Sequence, residues 1–175
     1  MAASPDTSPS VSPVDYPSAV ACLQEMKSRG ISMGLEGIER LVAALGNPER
    51  RVPCIHIAGT NGKGSVAAML ESIFRSSGWR TGLYTSPHLI KLGERIQVDR
   101  IFLTEAEITS YVREMGPIAA GLSGGRVKES GASYFEFMTA MAFLHFARWD
   151  CAISCVEVGM GGRLDATNVV MPEVS

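Results

Sequence analysis

The sequence predicts an α/β fold of three layers, a parallel sheet flanked by helices with a glycine-rich turn after its first strand. Three observations carry this expectation. First, Cys54-Ile55-His56-Ile57-Ala58 is a short unbroken apolar run, the pattern of a strand buried on both faces. Second, the run passes into a turn at Gly59–Gly64, and Val66, Met69, Leu70, Ile73 and Phe74 then recur at helical spacing before Leu83-Tyr84-Thr85 reads as another strand. Strand, turn, helix and strand in that order make a βαβ unit, which joins parallel strands by a right-handed crossover. Third, Cys151–Val158 is the strongest strand signal in the chain. Parallel strands are therefore expected near 53–58, 81–85 and 151–158.

The remaining elements follow in order. Residues 1–13 are rich in Ser, Pro and Ala with one charge, and predict a disordered tail. The domain division is a tail over 1–17 and one α/β domain over 18–175. A helix is expected from about Ser18 to Arg29, with Val20, Leu23 and Met26 on one stripe. A second stripe, Leu35, Ile38, Leu41, Val42 and Leu45, is stopped by Gly46-Asn47-Pro48. Arg95–Val98 and Ile101–Leu103 can pair as a hairpin around Asp99-Arg100. Thr104 with Glu107, and Ser133 with Glu136, have the spacing of capping boxes, so each pair should start a helix. The second of these helices should carry Phe137, Met141, Leu144 and His145 on one face. Gly121–Gly131 and Gly159–Asn168 read as loops, and Val174 as the start of a further strand.

Composition excludes several function classes. A length of 175 residues suits one compact domain, and 46% hydrophobic with 19% charged residues suits a packed core. A net charge of −2 gives no general attraction to nucleic acid or anionic lipid. No apolar run approaches the roughly 18 residues that a membrane span needs, and no basic start precedes an apolar stretch. The expectation is a cytoplasmic monomer. Cys22, Cys54, Cys151 and Cys155 form no C-x-x-C pair and are expected as free thiols in a reducing compartment. His56, on a buried strand, is expected as a hydrogen-bonded core histidine, and His145 on a helix face.

The chemistry concentrates in Gly59-Thr60-Asn61-Gly62-Lys63-Gly64-Ser65. Phosphate needs several donors at once; glycines let backbone N–H groups turn inward, and a helix N-terminus adds a favourable dipole. Lys63 can reach the β and γ phosphates, and the Ser65 hydroxyl can ligate Mg²⁺. The strict pattern G-x-x-x-x-G-K-[ST] is not met, because two residues separate Gly59 from Gly62 and Gly64 follows Lys63. The strand before and the amphipathic helix after supply the context that the mechanism requires. Glu157 ends the most apolar strand, where an open α/β sheet binds its ligands, and a carboxylate there calls for a cation.

The string Gly59–Ser65 resembles the phosphate loop of folylpolyglutamate synthases and dihydrofolate synthases, members of the Mur ligase superfamily. Four further segments agree in order: Met33-Gly34-Leu35-Glu36, Thr85-Ser86-Pro87-His88-Leu89, Ser133-Tyr134-Phe135-Glu136 and Glu157–Asn168. The resemblance runs from about residue 18 to the end. It implies an ATP-dependent amide ligase that phosphorylates the carboxylate of a folate or dihydropteroate and joins it to L-glutamate. It implies ATP and Mg²⁺ as cofactors, small-molecule substrates, and no nucleic-acid or membrane partner. On that likeness Gly59, Thr60, Asn61, Gly62, Lys63, Gly64 and Ser65 bind ATP, and Ser65, Ser86 and Glu157 bind the metal, with Lys63 and Glu157 catalytic. Ser86, His88, Ser133, Tyr134, Phe135, Glu136, Arg163, Leu164, Asp165 and Ala166 contact the acceptor.

Plainer roles stand beside these. Glu157 can be a solvated strand end and Ser86 a turn residue; Ser133 and Glu136 cap a helix in any case; Tyr134 and Phe135 can be core; Asp165 can close an Asx turn. Family members are far longer than this chain. A further metal-ligating histidine, a carbamylated lysine and a C-terminal domain are expected to be missing, leaving the fragment inactive alone. The alternatives are another Mur-type ligase, or a P-loop nucleotide-binding protein without ligase activity.

Overall fold

The computed structural model describes residues 13–28, 30, 34–122 and 131–175. Its strands are β1 (Cys54–Ile57), β2 (Thr81–Tyr84), β3 (Ile96–Val98), β4 (Ile101–Phe102) and β5 (Ile153–Glu157). Its helices are α1 (Tyr16–Ser28), α2 (Glu36–Ala44), α3 (Lys63–Ser76), α4 (Glu105–Gly121) and α5 (Tyr134–Arg148). The sheet order is β1-β5-β2-β3-β4. β1, β5 and β2 are parallel, in a register that aligns Ile57 with Glu157 and Tyr84 with Val156. These are the three strands that the apolar runs predict.

The sheet is mixed rather than wholly parallel, because β3 lies antiparallel to β2 and β4 antiparallel to β3. The segment from β2 to β3 contains no α-helix to carry a parallel crossover, so the chain folds back beside its own strand. At the β3–β4 turn, Asp99 and Arg100 both take positive φ, 51° and 68°, the conformation that closes two-residue hairpins. On the other edge Val174 bridges Ile55 in parallel, with His56 N–H donating to the Val174 carbonyl at 3.0 Å.

Two apolar cores separate the layers. The larger joins α1, α2, α4 and α5 to one face of the sheet; the smaller, Ile57, Ala67, Leu83 and Cys155, seats α3 on the other. α5 is buried from Glu136 to Phe146 without a polar side. The one-sided face expected for it is corrected: the helix lies between the sheet and α1 and α2, and is packed all round. Gly82 lets it approach, since a Cβ there would stand 2.8 Å from the Phe146 ring.

The phase of α3 also departs from expectation. Val66, Met69 and Ile73 are 46%, 64% and 61% exposed, while Ala67 and Glu71 face inward. The cause is a buried ion cluster. Glu71 accepts from Arg75 Nε at 3.0 Å, from Thr81 Oγ1 at 2.7 Å and from Arg100 Nε, and Arg100 also donates to the Ala68 carbonyl at 2.7 Å. Turning the helix to bury its apolar stripe would expose these pairs and strand the arginines.

Helix starts follow local chemistry. α4 and α5 begin at the expected capping boxes: Thr104 N–H donates to Glu107 Oε2 at 2.8 Å, and Ser133 N–H to Glu136 Oε2 at 2.7 Å. α1 starts at Tyr16, not Ser18, because Asp15 accepts from Ser18 N–H at 3.0 Å and caps the helix. Tyr16 and Pro17 therefore belong to the helix rather than to a tail. Arg29, Met33 and residues 1–12 and 123–130 lie outside the described residues. Among the described residues no helix is long and apolar enough to cross a membrane. The four cysteines are free, and burial pushes the Cys54 and Cys151 thiols up to about 12 and Cys155 to about 11.

His145 is buried within this core. Its Nδ1 and the Tyr111 hydroxyl share a hydrogen bond of 3.0 Å, and its ring meets Tyr111, Phe146 and Trp149. Burial holds its pKa down at about 4, with Glu107 opposing and Arg148 assisting. The unfolded chain takes up this proton near pH 6.5 and the folded chain only near 4, so the stability contribution is complete above 6.5 and is lost as pH falls toward 4. The urea midpoint should fall across that window by an amount equivalent to on the order of 2 kcal/mol. His145→Gln should flatten the fall; an equal slope in both proteins would refute the assignment. Gly82→Ala should cost about 1–3 kcal/mol by overpacking against Phe146, measured by the same denaturation.

Candidate nucleotide and acceptor site

The carboxyl ends of β1, β5 and β2 converge on one edge of the sheet. After β1 the chain turns through Gly59 (φ 152°) and Gly62 (φ 76°), left-handed conformations that suit glycine, and enters α3 at Lys63. Thr60, Asn61 and Gly62 are exposed, so the N-terminus of a 14-residue helix opens to solvent. No acidic residue of α3 itself occupies its first turn; the negative group facing that positive helix end is Glu157, from β5. Lys63 folds back over the loop, its Nζ donating to the Gly59 carbonyl at 3.0 Å.

Glu157 closes β5 and is only 6% exposed. Its carboxylate lies over Gly64: a Cβ built there would stand 3.3 Å from Oε2 and 3.5 Å from Oε1. A glycine after the loop lysine, the departure from the strict pattern, is what this close approach accommodates. Oε2 accepts from Ser86 N–H at 2.9 Å, tying the end of β2 to the end of β5. Oε1 accepts no hydrogen bond from the described residues. Ser65 follows Gly64 in the first turn of α3. Glu157, Ser65 and Ser86 are thus hard oxygen donors grouped at one edge, although ~90 residues of sequence separate the first two. Among the described residues no group of three or more His, Cys, Asp or Glu is arranged to hold a metal. So sparse a donor set fits an ion that keeps waters and phosphate oxygens as ligands, as Mg²⁺ does.

Beside Ser86 the β2–β3 connection builds a second group. Thr85 N–H donates to the Arg95 carbonyl at 3.0 Å. Arg95 Nε donates to His88 Nδ1 at 2.8 Å, and its guanidinium stacks over the Tyr134 ring at 5.7 Å. His88 accepts at Nδ1, so its proton sits on Nε2. Burial, followed by the Arg95 charge, pushes its pKa down. Glu94 gathers the N–H groups of Leu89, Ile90 and Lys91 at 2.7, 3.1 and 2.7 Å, and these bonds hold its pKa down. Leu89 and Ile90 stand out from the loop, 91% and 85% exposed.

The start of α5 divides by role. Ser133 Oγ and Glu136 Oε2 serve the cap, while Glu136 Oε1 is buried without a hydrogen-bond partner against Gly37 of α2, where a Cβ would stand 2.2 Å from it. Tyr134 and Phe135 are half-buried and form a wall. Phe135 fits against Gly159, with its Cζ 2.4 Å from where a Cβ would be.

The loop after β5 is tied internally. Asp165 is 6% exposed; Oδ2 accepts from Met160 N–H at 2.7 Å, and Oδ1 from Thr167 N–H at 3.0 Å and the Thr167 hydroxyl at 2.5 Å. This is the Asx-turn role. His56 Nε2 in turn donates to Thr167 Oγ1 at 2.8 Å, making it the hydrogen-bonded core histidine expected from the sequence. Burial pushes the His56 pKa down, with Asp165 opposing. Ala166 is buried, whereas Arg163 and Leu164 are exposed. Sequence reasoning passed over Arg95, whose only local signal is a basic residue just before an apolar strand.

No protein-family model matches the chain. It is 40% identical over 144 residues to the dihydrofolate synthase/folylpolyglutamate synthase of Bacillus subtilis (strain 168), covering 82% of this chain and 33% of that protein. It is 39% identical over 184 residues to the protein of the same description from Mycobacterium tuberculosis (strain ATCC 25618 / H37Rv), covering 98% and 38%. The crystal structure of folylpolyglutamate synthase from Thermotoga maritima superposes with a TM-score of 0.82 at 43% identity, over 90% of this chain and 37% of that one. A structure described as an FPGS-AMPPCP-folate complex superposes with a TM-score of 0.81 at 32% identity, over 91% and 38%. The chain spans about a third of the length of the curated relatives it matches. Across that shared length, it belongs to the folylpolyglutamate synthase/dihydrofolate synthase family.

Proposed function

We propose that this chain supplies the ATP-binding part of an ATP-dependent amide ligase that adds L-glutamate to the carboxylate of a folate or dihydropteroate. The observation that carries the reading is the meeting of Glu157, Ser86 and the Gly59–Ser65 loop at one sheet edge. Relatives of the same family have been described in complex with an ATP analogue and with folate, which supports the choice of ligands.

In this reading the loop N–H groups and Lys63 receive the ATP phosphates. Lys63 leaves the Gly59 carbonyl to meet them. The acceptor carboxylate oxygen attacks the γ-phosphorus and ADP departs. The glutamate amine then attacks the acyl-phosphate carbon, phosphate leaves with the C–O electron pair, and the amine proton is lost. Two anions must meet for the first step, so charge neutralisation is the main demand on the site. Mg²⁺, held by Glu157, Ser65 and Ser86, would supply part of that neutralisation. Tyr134 and Phe135 offer a flat apolar wall to a pterin or aminobenzoyl ring. The Asp165–Thr167–His56 chain holds the loop that carries Arg163 and Leu164.

Lys63→Ala should weaken ATP binding about 10–100-fold by calorimetry, the size of a lost charge-assisted contact. Unchanged affinity would remove this loop from nucleotide binding. Glu157→Gln should leave metal-free ATP affinity near that of the parent and abolish most of the gain on adding Mg²⁺; an intact gain places the metal elsewhere. Residues 1–175 alone should show no ligation with dihydropteroate or tetrahydrofolate, ATP and glutamate. A chain extended to the length of the relatives should turn over. Comparable turnover by both would refute the division of labour proposed.

A further inference from the structure

We infer that Arg95 is the residue that binds the acceptor's carboxylate, through a guanidinium held ready beside Ser86. The inference rests on the ligase reading above and adds the group that recognises its anionic substrate. Arg95 is 9% exposed: most of the side chain is buried, and its terminal nitrogens keep an open edge. Arginine does not shed its proton in proteins, and an unpaired buried charge is costly. Yet Arg95 forms no salt bridge with any described residue. Its Nε is committed to His88 Nδ1 at 2.8 Å, and its face to the Tyr134 ring at 5.7 Å. Neither contact brings a negative charge. Nη1 and Nη2 find no hydrogen-bond acceptor among the described residues.

Two other inward-facing charges of this sheet have partners on the chain, and neither is Arg95. Glu71 meets two arginines, and Glu157 meets the Ser86 N–H beside the phosphate loop. Arg95 is a mostly buried cation whose two terminal nitrogens meet no anion among the described residues. The planar fork suits a carboxylate that accepts two parallel N–H bonds.

Position decides which anion. Phosphates have their own donors across the sheet edge, at Gly59–Gly64 and Lys63. Arg95 lies on the far side of β2, where its carbonyl accepts from Thr85 N–H, one residue before Ser86. Ser86 touches Glu157. A carboxylate on Arg95 would therefore stand next to the edge where phosphate is delivered, with the Tyr134–Phe135 wall beside it to take an aromatic ring. His88 fixes the fork from behind: accepting at Nδ1, it prevents the guanidinium from turning its Nε edge to the ligand.

The test uses the full chain and three probes: pteroate, the same molecule without its carboxylate, and ATP. The parent should bind pteroate at least tenfold more tightly than the decarboxylated compound. Arg95→Gln should abolish that difference while leaving affinity for the decarboxylated compound and for ATP unchanged. Arg95→Lys, which keeps the charge and loses the fork, should restore part of it. The His88 imidazole resonances should move when pteroate is added and stay fixed with the decarboxylated compound, a readout that holds even if Arg95→Gln does not fold. Equal loss for both pterins would make Arg95 structural, and loss of ATP affinity alone would make it a phosphate ligand. Equal binding of both pterins by the parent, or an unmoved His88, would likewise overturn the inference. If the parent binds ATP but neither pterin, the acceptor assignment in the ligase reading falls, and this inference with it.

Discussion

A carboxylate at the end of a fully buried strand must find compensation, and the treatment of Glu157 organises the functional edge of this molecule. β5 lies in the middle of the parallel strands with every residue buried, so its last side chain emerges between the turn after β1 and the end of β2. One oxygen takes the Ser86 N–H, and the other has no donor among the described residues. The helix that follows the phosphate loop comes close to it, and a Cβ at residue 64 would press on the carboxylate at 3.3 Å. The loop sequence, the glycine after its lysine and the turn at Ser86 are all adjusted to this single acidic group.

A second constraint holds the phosphate loop in place from behind. The loop is the first turn of α3, and α3 is clamped by Glu71 to Thr81 of β2 and Arg100 at the hairpin tip. Surface ion pairs contribute little, but this one has a fully buried carboxylate with three donors, so removing a partner would leave a buried charge exposed to its neighbours. The β3–β4 hairpin is thereby more than an edge ornament. It fixes the rotation and the height of the helix whose N-terminus faces the ligand.

Much of the architecture was legible because its signals are local. Apolar runs marked β1, β2 and β5, and the Thr104–Glu107 and Ser133–Glu136 pairs marked the starts of α4 and α5. Glu157 stood out because a charge ended an apolar strand. What escaped depends on contacts between distant segments. The phase of α3 follows from Arg100 and Thr81 reaching Glu71: of the apolar stripe, Leu70 and Phe74 pack on the core, while Val66, Met69 and Ile73 face out. The antiparallel pairing of β3 with β2 depends on the absence of a crossover helix. The burial of α5 on every side comes from packing between α1, α2 and a sheet face, which no periodicity within fifteen residues reveals. Asp165 could be read as a ligand contact or as a turn; Met160 and Thr167, both within its own loop, take up its oxygens. Arg95 drew no attention because its meaning lies in what surrounds it: His88, the Tyr134 ring, and no counter-charge among the described residues.

The two borders of the sheet are unlike each other. β4 is two residues long, its side chains exposed, and it is bounded by the Asp99-Arg100 turn, so it offers almost no ladder for another strand. β1 is longer and apolar, and on its outer side it already takes Glu173 N–H and the Val174 carbonyl in parallel sense. Growth of this sheet is therefore directional. The pairing at Val174 already runs with β1, which extends the row of strand ends away from the hairpin and on the side where the phosphate loop lies.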